Sequence, residues 1–176
     1  MKKNLYVISG ATGMTGSELS HQLLKEENIV VGFDNFFASS IDTVKDLVGR
    51  DDFIFFEYDI NNAEHMAAVA DKVKSLKGSY SGRLIFINCA AVVHTKHFYE
   101  VEHTFQTNVI SMKTFLEMAI ELGADTYINC STSEVYSMQS WNANGGVCES
   151  DFLVMATAEH SQRTSYAAGK RLTEFF

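Results

Sequence analysis

Five short apolar runs punctuate this chain, and between them the hydrophobic pattern switches to helical spacing. The runs are Leu5 to Ser9, Ile29 to Phe33, Phe53 to Tyr58, Leu84 to Asn88 and Thr126 to Cys130. Each is short, continuous and bounded by turn residues, which reads as a strand buried on both faces. Between them, Met14 to Glu26 carries Leu19, Leu23 and Leu24 on one helical face. Asn61 or Asn62 is placed to cap a helix that runs to about Leu76. A long helical pattern extends from about His97 to Leu122 and stops at Gly123, and a last helix begins near Thr164 and runs to the chain end. A short helix is expected over Ile41 to Val48, and Ser137 to Gln162 reads as irregular and polar. Strands alternating with helices, joined by right-handed crossovers, predict an α/β fold: a doubly wound parallel sheet of the Rossmann type.

Composition narrows the partners. At 176 residues the chain is long enough for one domain with a sizeable core, and its net charge of −8 argues against nucleic acid or an anionic membrane as a general partner. The first five residues lead straight into a strand, without the apolar stretch and cleavage site of a signal peptide. No apolar run is long enough to span a bilayer. Three cysteines, odd in number and widely spaced, do not make a disulfide framework, so a cytoplasmic location is expected. Cys89, just after the fourth run, and Cys130, at the end of the fifth, could lie close together, and they read as small buried residues. No metal site is assigned.

The first candidate site is Gly10-Ala11-Thr12-Gly13-Met14-Thr15-Gly16, between a strand and a helix. Glycine there permits a tight turn and close approach of a pyrophosphate, and the helix start offers free amides at a positive dipole end. Eighteen residues after Gly16, Asp34 ends the second strand, where a carboxylate accepts from ribose hydroxyls and repels a 2′-phosphate. From Asn35 to Ser40 there is no Lys or Arg to relieve that repulsion, so the expected cofactor is NAD. After the fourth strand, Ala90 and Ala91 are small enough to let the cofactor pass near the backbone, and Asn35 is expected beside it.

The second candidate site combines Ser131-Thr132-Ser133-Glu134-Val135-Tyr136 with Tyr166-Ala167-Ala168-Gly169-Lys170. The Tyr-x-x-x-Lys spacing puts Tyr166 and Lys170 one turn apart on one helix face. A phenol is a poor base at neutral pH, but a nearby ammonium and a cationic ring favour phenolate. Tyr166 is then a candidate base for a substrate hydroxyl, with Thr132 bridging the same oxygen and Lys170 as the ammonium. Both Tyr166 and Lys170 would also touch the cofactor.

The glycine spacing, the Thr-Ser-Glu segment and the Tyr-x-x-x-Lys pair together resemble the extended short-chain dehydrogenase/reductase family, in its NAD-dependent nucleotide-sugar epimerase and dehydratase branch. That resemblance covers nearly the whole chain. It implies oxidation at carbon 4 of a nucleotide-linked sugar, followed by epimerisation, elimination or decarboxylation, with the cofactor recycled. It also implies that Asp59 and Ile60 contact adenine, that Asn108 supports the active site, and that His94 lies in an Ala-Ala-x-x-His segment like that of several dehydratases. Ser131 to Tyr136 looks like UDP-glucuronate decarboxylases and GDP-mannose dehydratases; Ser133 stands where dTDP-glucose dehydratases carry Asp, and Glu134 is positioned as a base beside carbon 5. Family members continue into a carboxy-terminal substrate domain, so residues 1–176 are expected to bind NAD without efficient turnover, and a homodimer through two long helices is implied. A classical short-chain alcohol dehydrogenase fits less well, because 34 positions separate Thr132 from Tyr166. A non-catalytic NAD-sensing module is the other alternative.

Overall fold

The computed structural model describes residues 3–97, 99–136 and 164–176. Five strands, β1 (Leu5–Ser9), β2 (Ile29–Asp34), β3 (Phe53–Glu57), β4 (Leu84–Asn88) and β5 (Thr126–Asn129), form one sheet in the order β3-β2-β1-β4-β5. All four pairings are parallel, with Val7 opposite both Val31 and Phe86. Among the described residues five α-helices accompany them: α1 (Met14–Lys25), α2 (Ala63–Ser75), α3 (Val101–Phe105), α4 (Met112–Glu121) and α5 (Ser165–Thr173). The strand order reverses between β1 and β4, and at such a switch point the loops at the carboxyl ends of the strands part to leave a crevice.

Each sheet face has its own core. On one, Val69 and Val73 of α2 and Phe115 and Met118 of α4 pack on Phe33 and Phe86. Phe115 is fully buried, its ring edge-on to Phe33 at 5.6 Å and tilted on Phe86 at 5.2 Å. Burying one such ring contributes about 2–3 kcal/mol. On the other face Leu24 of α1, Val44 and Leu47 cover Ile8, Val30 and Ile87.

Several boundaries differ from the sequence expectation. The helix expected over Ile41 to Val48 is one 3-10 turn, Ile41–Thr43, started by the Ser40 hydroxyl accepting from Asp42 N; turns carry the rest. The single long helix expected from His97 to Leu122 is instead α3, a π-helical stretch over Gln106–Ser111 and α4, preceded by a 3-10 turn at Thr95–His97. Widening a helix to π geometry turns an extra residue inward, and such bulges recur at functional sites. Here Thr107, Asn108 and Ser111 all face inward and are buried. The Asn61 side chain donates to Thr107 Oγ1 at 3.1 Å and accepts from Ser111 Oγ at 2.7 Å. The α2 cap is Asn62, whose side chain accepts from Glu64 N and His65 N. The last helix ends at Thr173, capped by Glu174, and does not run to the chain end. The irregular segment expected over Ser137 to Gln162 lies outside the described residues. Among those described, no helix is long and apolar enough to cross a membrane.

Candidate cofactor and active site

The glycine loop is built to exclude side chains. Gly10 has φ +69, a conformation costly for any residue with a Cβ, and a Cβ there would lie 2.7 Å from Ala90 N. At Gly16 an added Cβ would lie 2.1 Å from Gly10 O and 2.8 Å from Ala11 Cα. Gly13 N closes the turn onto Gly10 O at 3.1 Å. Gly13 is also the N-cap of α1; no side chain caps this helix start and no acidic residue stands in its first turn. The dipole end is therefore left for a ligand.

Asp34 ties the loop to β2. Its carboxylate accepts from Thr12 N at 3.2 Å, Phe36 N at 2.9 Å and Ser39 Oγ at 3.1 Å. Thr12 Oγ1 meets Ser39 Oγ at 2.7 Å, and Thr43 Oγ1 donates to Thr12 O at 2.9 Å. A cleft of ≈ 510 Å³ opens beside this loop. Gly10, Gly13, Met14, Thr15, Gly16, Asp34, Asn35, Ile60, Ala90, Ala91 and His94 all line it. Thr12 and Asp59 do not: Thr12 is buried behind the loop, and the Asp59 carboxylate accepts from Asn61 N at 2.8 Å. Asn35 Oδ1 accepts from Phe37 N, an Asx turn that holds the β2 loop.

The catalytic candidates lie in the turn after β5 and on α5. Thr132 caps a 3-10 turn over Ser133–Val135, accepting from Glu134 N at 3.2 Å, and its hydroxyl is near enough to the Tyr166 phenol to act on its proton affinity. Tyr166 is 8% and Lys170 only 2% exposed. The Lys170 ammonium donates to Cys130 O at 2.7 Å. Burial pushes the Tyr166 phenol up; Thr132 opposes that shift, while the Glu134 carboxylate and Cys130 add to it. Burial lowers the Lys170 ammonium, against the pull of Cys130 and Cys89. The ammonium thus anchors on a backbone carbonyl, and the raised phenol is protonated at neutral pH. Thr132, Glu134, Tyr166 and Lys170 stand beside the cleft rather than among the residues lining it. Asn108 links the two areas: from the π-helical stretch, its side chain accepts from Val92 N at 2.7 Å and donates to Val92 O at 3.3 Å.

Four supporting residues escaped the sequence reading. Ser9 Oγ donates to Asn88 Oδ1 at 2.6 Å, and Asn88 Nδ2 to Asn129 Oδ1 at 2.9 Å. Asn129 Nδ2 donates to Thr173 Oγ1 at 2.8 Å, and Thr173 Oγ1 to the Lys170 carbonyl at 2.6 Å. This polar chain crosses the sheet from β1 to α5. Its signal in the sequence is the repeat Ile87-Asn88-Cys89 and Ile128-Asn129-Cys130, which places an Asn at the same level of neighbouring strands.

A parallel sheet with a glycine-rich loop at its switch point and a strand-end carboxylate defines a Rossmann-type chain. This chain belongs to the NAD dependent epimerase/dehydratase family, whose model matches residues 6–174. It is similar to UDP-glucuronic acid decarboxylase 5 of Arabidopsis thaliana, 32% identical over 131 residues, covering 74% of this chain and 34% of that protein. Among solved structures it resembles the UDP-Glc/GlcNAc 4-epimerase of Campylobacter jejuni, with TM-score 0.73, 21% identity, and 98% of this chain matched to 47% of that one. A dTDP-glucose 4,6-dehydratase from Bacillus anthracis, solved in complex with NAD, gives TM-score 0.68, 22% identity, 98% of this chain and 48% of the other. The chain spans about a third of the length of the curated relatives it matches and about half of these solved chains.

Proposed function

We propose that this chain carries the NAD-binding and proton-transfer half of a nucleotide-sugar epimerase, dehydratase or decarboxylase, acting at carbon 4 of the sugar. The observation that carries the reading is the Gly10–Gly16 turn, where a Cβ at Gly10 or Gly16 would collide with backbone, opening on a cleft that Asp34 also lines. Family membership and a relative named for UDP-glucuronate decarboxylation support it.

Gly13 to Gly16 would hold the pyrophosphate through the uncapped α1 amides, and Asp34 the adenosine ribose, with Asn35, Asp59 and Ile60 toward the adenine. Ala90 and Ala91 let the cofactor lie close to the β4 end. NAD, when bound, supplies the hydride acceptor and later the donor. Tyr166 takes the proton from the sugar hydroxyl through its phenol oxygen, and Thr132 holds that same oxygen in line. Lys170 keeps the Tyr166 helix docked on β5 through Cys130 O and contributes positive charge that favours phenolate. Glu134, close enough to act on the Tyr166 phenol, serves as a second base at carbon 5 in an elimination. The net outcome is isomerase or lyase chemistry. A homodimer through α3, α4 and α5 is supported by exposed Val101, Phe105 and Ile110 on this side of the fold, and the chain is read as cytoplasmic.

The test is calorimetric titration of this chain with NAD and NADP, with Asp34→Ala alongside. NAD is expected to bind and NADP to give little heat. Asp34→Ala is expected to weaken NAD about tenfold, the worth of a charged hydrogen bond. Equal binding of both cofactors by the parent chain would overturn the Asp34 assignment. No binding of either by a chain whose circular dichroism shows it folded would overturn the cofactor reading.

A further inference from the structure

Cys89 and Cys130 stand one residue past the paired Asn88 and Asn129, at adjacent ends of parallel β4 and β5. Side chains at matched register on neighbouring strands point to the same face, and strands lie roughly 4.8 Å apart, inside the roughly 4.4–6.8 Å Cα separation that a disulfide accepts. The sulfurs are 3.7 Å apart, both are free thiols, and both are partly exposed. Cys89 lines the cleft, and the Lys170 ammonium is fixed beside the pair by its bond to Cys130 O.

We propose that Cys89 and Cys130 form an oxidisable dithiol, converted by a peroxide to an intramolecular disulfide. The two cysteines divide the work. The Cys89 thiol and the Lys170 ammonium hold the Cys130 proton affinity down, while the hydrogen bond to Cys130 and then burial push Cys89 up. The Lys170 ammonium, held 2.7 Å from the Cys130 carbonyl oxygen, puts positive charge beside Cys130, which makes Cys130 the nucleophile and Cys89 the resolving thiol, since thiolate is the reactive form. Cys130 thiolate attacks one peroxide oxygen, the O–O bond breaks, and the departing hydroxide takes a proton to leave as water, giving sulfenic acid at Cys130. Cys89 sulfur then attacks the Cys130 sulfur, and its own proton leaves with the displaced hydroxide as a second water. Two thiols are oxidised by two electrons and one peroxide is reduced to two waters. Closing from 3.7 Å to bonding distance takes a side-chain rotation at each residue, with the strand ladder already setting the backbone separation.

The test uses the whole chain with hydrogen peroxide, read by intact mass and peptide mapping, so it is independent of whether NAD binds. One equivalent is expected to remove the mass of two hydrogens, to join the Cys89 and Cys130 peptides, and to be reversed by dithiothreitol. Cys148→Ser is expected to behave in the same way. In single variants, Cys89→Ser is expected to oxidise at Cys130 faster than Cys130→Ser oxidises at Cys89. Thiols that survive the treatment, a link through Cys148, or separate oxygen additions at Cys89 and Cys130 without a link would each overturn the proposal.

Discussion

At the β1–α1 turn the backbone itself makes the site: Gly13 N bonds Gly10 O, Gly16 abuts that same carbonyl, and Thr12 N rests on the Asp34 carboxylate. At the β5–α5 end, side chains make it: Asn88, Asn129 and Thr173 relay hydrogen bonds to the Lys170 carbonyl, while Thr132 reaches Tyr166 across 34 positions of sequence. The first region tolerates no added atom at Gly10 or Gly16, because backbone cannot move aside from backbone. The second is a set of replaceable contacts, each worth about 1 kcal/mol net, so its parts can be exchanged one at a time without losing the fold.

Gly16→Ala breaks the first region outright. Its Cβ would lie 2.1 Å from Gly10 O, so the loop or the start of α1 must shift. The expected cost is about 3 kcal/mol of stability in urea unfolding, together with loss of the NAD heat in calorimetry. Unchanged stability and cofactor affinity would mean that the loop is more plastic than its packing implies.

Lys170→Met tests the second region and should act in the opposite sense on stability. Burial lowers the Lys170 proton affinity from its ordinary value of 10.5. In the window below that value the unfolded chain binds more protons at this site than the folded chain. The site's favourable contribution is therefore present above 10.5 and lost as pH falls through the folded value. At neutral pH the buried ammonium costs stability, partly offset by its bond to Cys130 O. Methionine, of similar volume, is expected to hold or raise stability by about 1 kcal/mol at neutral pH, with the gain shrinking toward alkaline pH. Urea midpoints at the two pH values check this, and a fall of about 2 kcal/mol at neutral pH would show the ammonium to be structural.

The same contrast explains what the sequence could reveal. The glycine loop and Asp34 are local in sequence, fixed by a turn that only certain residues can make, and they stand where the pattern of apolar runs put them. Tyr166 and Lys170 were legible as a one-turn pair, and the structure sets Thr132 against Tyr166. What periodicity could not show was the interruption of the helix at Gln106–Ser111. Its cause is tertiary: Asn61 and the Val92 backbone draw Thr107, Asn108 and Ser111 inward from other segments. For the same reason the turn in which the Asp59 carboxylate accepts from Asn61 N is visible only once the loop is folded. The Ile-Asn-Cys repeat was readable only after the register of β4 and β5 was known.

The smallest effect probes the outer side of the first region. His21 of α1 meets Ser17 O at 2.8 Å through Nδ1 and Asp46 at 3.0 Å through Nε2, pinning the glycine-loop helix to the segment after β2. Its proton affinity is raised, first by the Ser17 carbonyl, against a burial effect that lowers it, and then by Asp46. A raised folded value contributes stability that is fully present below the ordinary 6.5 and lost as pH rises through the folded value. Asp46 is exposed and its attraction is screened, so His21→Ala is expected to lower the melting temperature by about 1 °C on the acidic side and less above neutrality. NAD affinity should not change, because His21 lies outside the cleft. A loss of cofactor binding in this variant would mean that the placement of α1, and not the loop alone, sets the phosphate cradle, and the two regions would then differ less in kind than their contacts suggest.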